Sequence, residues 1–199
     1  MDKNFRLTAM ISTEALAQQS PLSTKRLELV QLGLSHFEGV WTSLSDEETN
    51  RLTGTHRKFT REQIREYLAT REGCDDRADW AILRRSDMVF LGEVVLNDLD
   101  YANESMNFRI ALSDKGVLGQ GYGTEATRAV VQYGFDEVKL HRISLGVYAF
   151  NPRARRTYEK CGFVLEGVER HALLWEGQWV DQFKMALLLT DPRAPLPTH

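Results

Sequence analysis

Apolar and polar positions alternate along "TKRLELVQL", residues 24–32, and that period of two predicts a strand. Downstream, "SHFEGVWTSLSDEETNRLTG" reads as helical pieces ending at Gly54. Thr60 and Gln63 form a capping-box pattern ahead of "REQIREYLAT", in which Ile64, Tyr67 and Leu68 fall on one helical face. Three further segments, residues 79–85, 88–100 and 104–112, are separated only by Ser-Asp and by Tyr-Ala-Asn, which predicts consecutive antiparallel strands. Ala126, Ala129, Val130, Tyr133 and Gly134 recur at helical offsets and predict an amphipathic helix with one long buried face. "HRISLGVYAF" (141–150) is the next strand, "NPRARRTYEKCGF" a short helix stopped at Gly162, and residues 163–170 and 179–189 are closing strands. The resulting order, βααβββαβαββ, predicts an α/β (α+β) fold with a mixed sheet and helices on its faces.

A chain of 199 residues can bury one sizeable core, so one domain over residues 23–190 is expected, with an N-terminal arm at 1–22 and a tail at 191–199. The arm reads equally as a short helix or a loose segment. A net charge of -3, with both signs interspersed, offers no broad basic surface, so nucleic acid is not an expected partner. No apolar run reaches membrane-spanning length, and the first twenty residues carry charges where an export signal needs an apolar block. A soluble cytoplasmic protein with no membrane partner is expected. Cys74 and Cys161 lack metal-ligand spacing and the density of a disulfide framework, which suits a reduced compartment. The spacing of His36, His56, His141 and His171 suggests neither a triad nor a ligand set, and no metal is expected.

The stretch "LGQGYGTEATRAVVQYGF", residues 118–135, changes this picture by setting Gly119, Gly121 and Gly123 against a helix. Glycine costs about 1 kcal/mol against alanine inside a helix, so three together need a backbone reason: positive φ, or close approach of a ligand. Gly121, Gly123 and Ala126 match GxGxxA, but no strand runs into the first glycine and "KLHRIS" offers no downstream carboxylate, so the dinucleotide-binding context is missing. No Lys-Ser or Lys-Thr pair follows, which excludes a Walker loop. What remains is a row of backbone N–H groups at the positive end of a helix, competent to hold a pyrophosphate. The alternative is a tight turn into a packed helix.

Asn151 before Pro152 is a strong helix start, and Tyr158 follows about 20° away around the helix at 3.6 residues per turn. The two share a face. Without a ligand, Asn151 is a cap and Tyr158 a packing residue; with one, a phenol that stays protonated at neutral pH can donate to a leaving group. "RARR" with Lys160 is the densest basic cluster, either a solvated helix face or a counter-charge for phosphates, with Arg155 or Arg156 favoured over Arg153 by angle.

"GQGYGTEATRAVVQYGF" followed by "HRISLGVYAFNPRARRTYEKCGFVLEG" resembles the GNAT superfamily of N-acetyltransferases, in particular its branch acting on ribosomal-protein N-termini. The resemblance runs from "TKRLELVQL" to "DQFKMALLL" and leaves out about the first twenty residues. It implies the GNAT fold, with a mostly antiparallel mixed sheet, and acetyl-CoA as cosubstrate. The acetyl-CoA loop would be Leu118, Gly119, Gln120, Gly121, Tyr122, Gly123 and Thr124, which the family writes Arg/Gln-x-x-Gly-x-Gly/Ala, with Gly121 and Gly123 supplying the glycines and Leu118 standing where the family often has Arg or Gln. Acetyl-CoA would bind in a cleft where "MNFRIAL" splays from "RISLGVYA", main-chain groups of Ile110, Ala111 and Leu112 would pair with the pantetheine arm, Asn151 would contact that arm, and Tyr158 would lie beside the thioester sulfur as general acid. Many relatives carry a glutamate where this chain has Asn107, an acceptor-side position that cannot take a proton at neutral pH. The base is then Glu93, Asp181 or a water relay. The implied acceptor is a small-molecule or peptide amine, with a low-pKa α-amine favoured; a non-catalytic acyl-CoA sensor is the alternative, and a homodimer is one open assembly.

Overall fold

Trp80 and Ile82 are buried on one side of their strand, and Ala81 and Leu83 on the other, so this strand must be covered on both faces. The computed structural model describes residues 11–113, 116 and 118–192. Among them, β1 (Leu22–Ser23), β2 (Leu27–Gln31), β3 (Ala78–Arg84), β4 (Phe90–Asp100), β5 (Ser105–Leu112), β6 (Arg142–Tyr148), β7 (Val164–Trp175) and β8 (Gln178–Leu188) form one sheet ordered β1-β2-β3-β4-β5-β6-β8-β7. Every pairing is antiparallel except that of β5 with β6.

The helices are α1 (Thr13–Ala17), α2 (Phe37–Ser45), α3 (Glu47–Thr53), α4 (Arg61–Ala69), α5 (Tyr122–Asp136) and α6 (Pro152–Lys160). On one face, Ala126, Val130 and Tyr133 of α5 and Tyr158 of α6 join the main core with Met106, Phe108, Ile143 and Leu145. The side chain that Gly134 lacks would come within 2.9 Å of Ile143 Cδ1, so glycine lets α5 lie close on the sheet. On the other face, Phe37 and Val40 of α2 and Ile64 and Leu68 of α4 cover Ala81 and Leu83. Among the described residues no helix is long and apolar enough to cross a membrane.

Local signals held where they were short-range. The capping box of α4 forms with both bonds, Gln63 N–H to Thr60 Oγ1 at 3.2 Å and Thr60 N–H to Gln63 Oε1 at 3.1 Å. The helical pieces before Gly54 resolve into α2 and α3, because Asp46 leaves helical geometry and its carboxylate accepts from Thr49 N–H at 2.7 Å, starting a new helix. β7 runs on to Trp175, beyond the expected end at residue 170; a register shift between Glu169 and Leu173, where His171 has φ 54, breaks the alternation there.

Residues 11–22, expected as part of an arm, pack into the domain. Leu16 of α1 is in the main core, Tyr133 Oη donates to Ala15 O at 2.6 Å, and the Gln19 amide pairs with both backbone groups of Asp79. The domain therefore starts ahead of the expected boundary at residue 23. Residues 1–10 of that arm, and residues 193–199 of the expected tail, lie outside the described residues.

Candidate active site

β5 and β6 pair only at Ser105 with Arg142, Met106 with Ile143 and Asn107 with Ser144. Beyond that the strands part, while β5 stays bonded to β4 as far as Leu112 and β6 to β8 as far as Tyr148. The split leaves a groove of about 460 Å³ that reaches through the sheet. Ile110, Ala111 and Leu112 line it along the free edge of β5, where main-chain groups have no neighbouring strand.

The glycine loop closes one end of the groove, and its three glycines serve two purposes. Gly119 and Gly121 have φ of +83° and +86°, which L side chains rarely adopt. Gly123 is helical, and an added Cβ would meet only Leu112 Cδ1 at 3.6 Å and Thr157 Cγ2 at 4.0 Å, both ordinary contacts. Protein packing does not require glycine at Gly123, so any limit on side-chain size there comes from what enters the groove. Gly121 caps α5 without any side-chain bond, whereas α3, α4 and α6 are capped by Asp46, Thr60 and Asn151. The first-turn N–H groups at Tyr122, Gly123 and Thr124, which also line the groove, therefore remain for an anion. The arrangement fits the pyrophosphate of a coenzyme A thioester. Leu118 and Gly119 line the groove as well, but Gln120 turns away, with its amide donating to Gly116 O at 2.5 Å.

On α6, Asn151 Oδ1 accepts from Ala154 N–H at 3.0 Å, so the cap reading holds, and Asn151 also lines the groove. Tyr158 lies on the same wall, edge-on to Phe108 at 6.1 Å and to Phe163 at 6.0 Å. Its hydroxyl has no hydrogen-bond partner among the described residues. Burial, with the neighbouring Cys161, pushes its phenol well above the ordinary value, so it stays protonated. Arg156 lines the groove as expected, but Arg155 does not: its guanidinium donates to Glu159 Oε1 at 2.9 Å and lies over the Phe183 ring at 4.4 Å. Arg153, expected to point away, lines the groove instead, because the groove runs the length of α6 and also takes in Arg156, Thr157 and Lys160, which share a helical face with Arg153.

The opposite side of the groove is built by strand alternation. Glu93 and Val95 of β4, Asn107 and Arg109 of β5, Gly146 and Tyr148 of β6, and Gln182 and Lys184 of β8 line it, under Thr49, Leu52 and Thr53 of α3. Burial pushes the Glu93 carboxyl up, against the pull of the Arg109 guanidinium 3.9 Å away. Asn107 Nδ2 donates to Asn97 Oδ1 at 2.9 Å, which leaves its carbonyl oxygen for another partner.

Asp181 does not join Glu93. It accepts from His171 N–H at 2.9 Å and lines a separate cavity of about 590 Å³ with Phe150, Trp175 and Trp179. Its neighbour Gln182 faces the groove, and successive strand residues point to opposite faces. A signal was available: Asp181 shares its parity with Phe183, Met185 and Leu187, while the polar Gln182 and Lys184 mark the other face. The same alternation would have found Arg109. Tyr148 and α3 had no such signal, since their meeting depends on Gly54, whose added Cβ would lie 2.5 Å from the Tyr148 ring.

A family model described as an acetyltransferase (GNAT) domain matches residues 26–164. Probable N-acetyltransferase YjcK of Bacillus subtilis (strain 168) is 37% identical over 131 residues, which is 66% of this chain and 72% of that protein. Spermidine N(1)-acetyltransferase of Vibrio cholerae is 32% identical over 98 residues, 49% of this chain and 56% of that protein. Among solved structures, spermidine N-acetyltransferase from Vibrio cholerae in complex with CoA and spermine superposes with a TM-score of 0.76 at 22% identity, covering 81% of this chain and 95% of that one. The family match takes in the free edge of β5, the glycine loop and Tyr158 together, and so both walls of the groove. The chain accordingly belongs to the GNAT family, as an N-acetyltransferase whose acetyl donor is acetyl-CoA.

Proposed function

We propose that this enzyme acetylates an α-amine, carried by a peptide N-terminus or an amino-acid-like small molecule, in keeping with the branch that acts on protein N-termini. The observation that carries this reading is the charge of the groove. Glu93 is the single carboxylate among its described lining residues, against Arg109 and Lys184 on the same wall and Arg153, Arg156 and Lys160 on the α6 side. A polyamine, with several ammonium groups, would need several carboxylates there and would meet like charge instead. An amine next to a carbonyl or carboxylate offers one positive group for Glu93 and an acceptor for Arg109 or Lys184.

In the reaction the neutral amine forms a bond to the acetyl carbon while the carbon–sulfur bond breaks; nitrogen sheds a proton and sulfur gains one. Gly121, Tyr122, Gly123 and Thr124 hold the pyrophosphate through backbone N–H groups, and the edge of β5 aligns the pantetheine arm. Tyr158 donates its hydroxyl hydrogen toward the leaving sulfur. Glu93, whose basicity burial brings nearer to neutrality, takes the proton from nitrogen. With a single base of this kind, the acceptor's own pKa matters. At pH 7 an α-amine of pKa about 7.8 is roughly 14% neutral, whereas a lysine-type amine near 10.4 is about 0.04% neutral.

The test is a turnover screen with acetyl-CoA against N-terminal peptides, free amino acids and spermidine. The expected result is kcat/KM for the best α-amine at least about 10²-fold above that for spermidine, with the alkaline rise following the amine pKa of each acceptor. Preference for spermidine, or an alkaline rise that stays at one pH for acceptors two pKa units apart, overturns the reading.

A further inference from the structure

The glycine loop is gripped from outside the groove by a residue nearly a hundred positions earlier. Arg26, in the turn between β1 and β2, donates from Nη1 to Gln120 O at 2.8 Å and from Nε to Glu125 Oε2 at 2.7 Å, with Nη2 also 2.7 Å from that oxygen. Its backbone N–H donates to Glu125 Oε1 at 2.8 Å, and Thr24 Oγ1 donates to the same oxygen at 2.6 Å. The guanidinium lies 4.4 Å from the centroid of the Tyr122 ring. Glu125 is 6% exposed; burial alone would raise its carboxyl, but the bonds from Thr24 and Arg26 hold it below the usual range. One side chain thus ties together three consecutive parts of the loop and helix: the carbonyl before Gly121, the ring after it, and the acid in the first turn of α5.

In a planar trans peptide the carbonyl and the following N–H point in opposite directions, and no described peptide bond is cis. Because the Gln120 carbonyl points to Arg26, the Gly121 N–H points away from it, and Gly121 lines the groove. On the opposite side of Gly121, an added Cβ would lie 3.3 Å from Arg26 Nη2. We infer that Arg26 is a positioning residue for the donor: it fixes the rotation of the Gln120–Gly121 peptide so that the Gly121 N–H faces the pyrophosphate. The inference rests on the glycine loop being the pyrophosphate cradle. Lysine cannot replace Arg26 here, because one ammonium cannot reproduce the planar fork that reaches Glu125 and the Gln120 carbonyl together.

Two donors separate this role from a merely structural staple: acetyl-CoA, and S-acetylpantetheine, which has the thioester but no pyrophosphate. Arg26→Lys keeps a cation beside Glu125, and the double variant Arg26→Met with Glu125→Gln leaves no charge buried alone. In both, KM for acetyl-CoA should rise about tenfold with kcat within about twofold, while kcat/KM for S-acetylpantetheine stays within about twofold. An unchanged acetyl-CoA KM, or an equal loss with both donors, overturns the positioning role. Gly123→Val in the same assay reports on the cradle. If that variant keeps the wild-type preference for acetyl-CoA over S-acetylpantetheine, the cradle falls; if it loses the preference and the Arg26 variants do not, only the role of Arg26 falls.

Discussion

Gly123→Ala, set beside Gly123→Val, separates the ligand's demands from the protein's. The added methyl would sit 3.6 Å from Leu112 Cδ1 and 4.0 Å from Thr157 Cγ2, so nothing in the domain has to move. Gly123 lies in the first turn of α5 with helical geometry, where alanine is better than glycine by up to about 1 kcal/mol. For a domain of this size that corresponds to a melting temperature unchanged or raised by about 2–4 °C. Binding should depend on the size of the side chain, since the loop this one resembles takes glycine or alanine at this position. A β-branched side chain there, bulky beside the first-turn N–H groups, should remove a charge-assisted hydrogen bond worth about 1.5–3 kcal/mol, or roughly 10- to 150-fold in Kd, whereas alanine should keep Kd within a few-fold. Gly121→Ala is the contrast: its φ of +86° makes any side chain strained by about 1–2 kcal/mol, so this variant should lose stability as well as affinity. Calorimetric melting and titration with CoA measure both quantities on the same samples. A Gly123→Val protein that binds CoA as tightly as wild type would show that no ligand approaches this backbone, and the cradle would have to be abandoned.

The remaining predictions concern the reacting groups. Tyr158→Phe should keep CoA affinity within a few-fold and lower kcat by about 10²-fold or more; because burial raises this phenol, the wild-type profile should have no alkaline limb from it below about pH 10, and an unchanged kcat returns Tyr158 to a packing role. Glu93→Gln should lower kcat/KM and remove the acid limb of the profile. Burial raises Glu93, so in the wild type that limb lies above the ordinary glutamate value of about 4.3, with activity lost as pH falls through it. Asp181→Asn, in the separate cavity, should leave that limb in place, and its loss there would move the base to Asp181.

Much of this molecule was legible in its residues because the signals are local. The buried stripe of α5, the capping box of α4 and the stop at Gly162, with φ +98°, depend on contacts within a few positions, and all three stand in the structure. The loop glycines were readable as a backbone problem, though not as two problems. Positive φ at Gly119 and Gly121 and open space at Gly123 look identical in a string of letters, since they differ only in what lies beside the chain.

By itself, then, the sequence determined the order of elements from β2 onward, apart from the split of α2 from α3, together with the helix entrance rich in free N–H groups and the pairing of Asn151 with Tyr158 on one helical face. Only the tertiary structure decided that β5 and β6 part after Asn107 and Ser144, that Glu93 and not Asp181 faces the groove, that Arg155 is held by Glu159 and Phe183 while Arg153 is not, and that Arg26 reaches Gln120. The physical reason is range. Hydrogen bonds and side-chain periodicity within one helix or strand are written in adjacent letters. Which strand becomes a neighbour, and which partner captures a long charged side chain, is decided by burial shared between segments far apart in the chain.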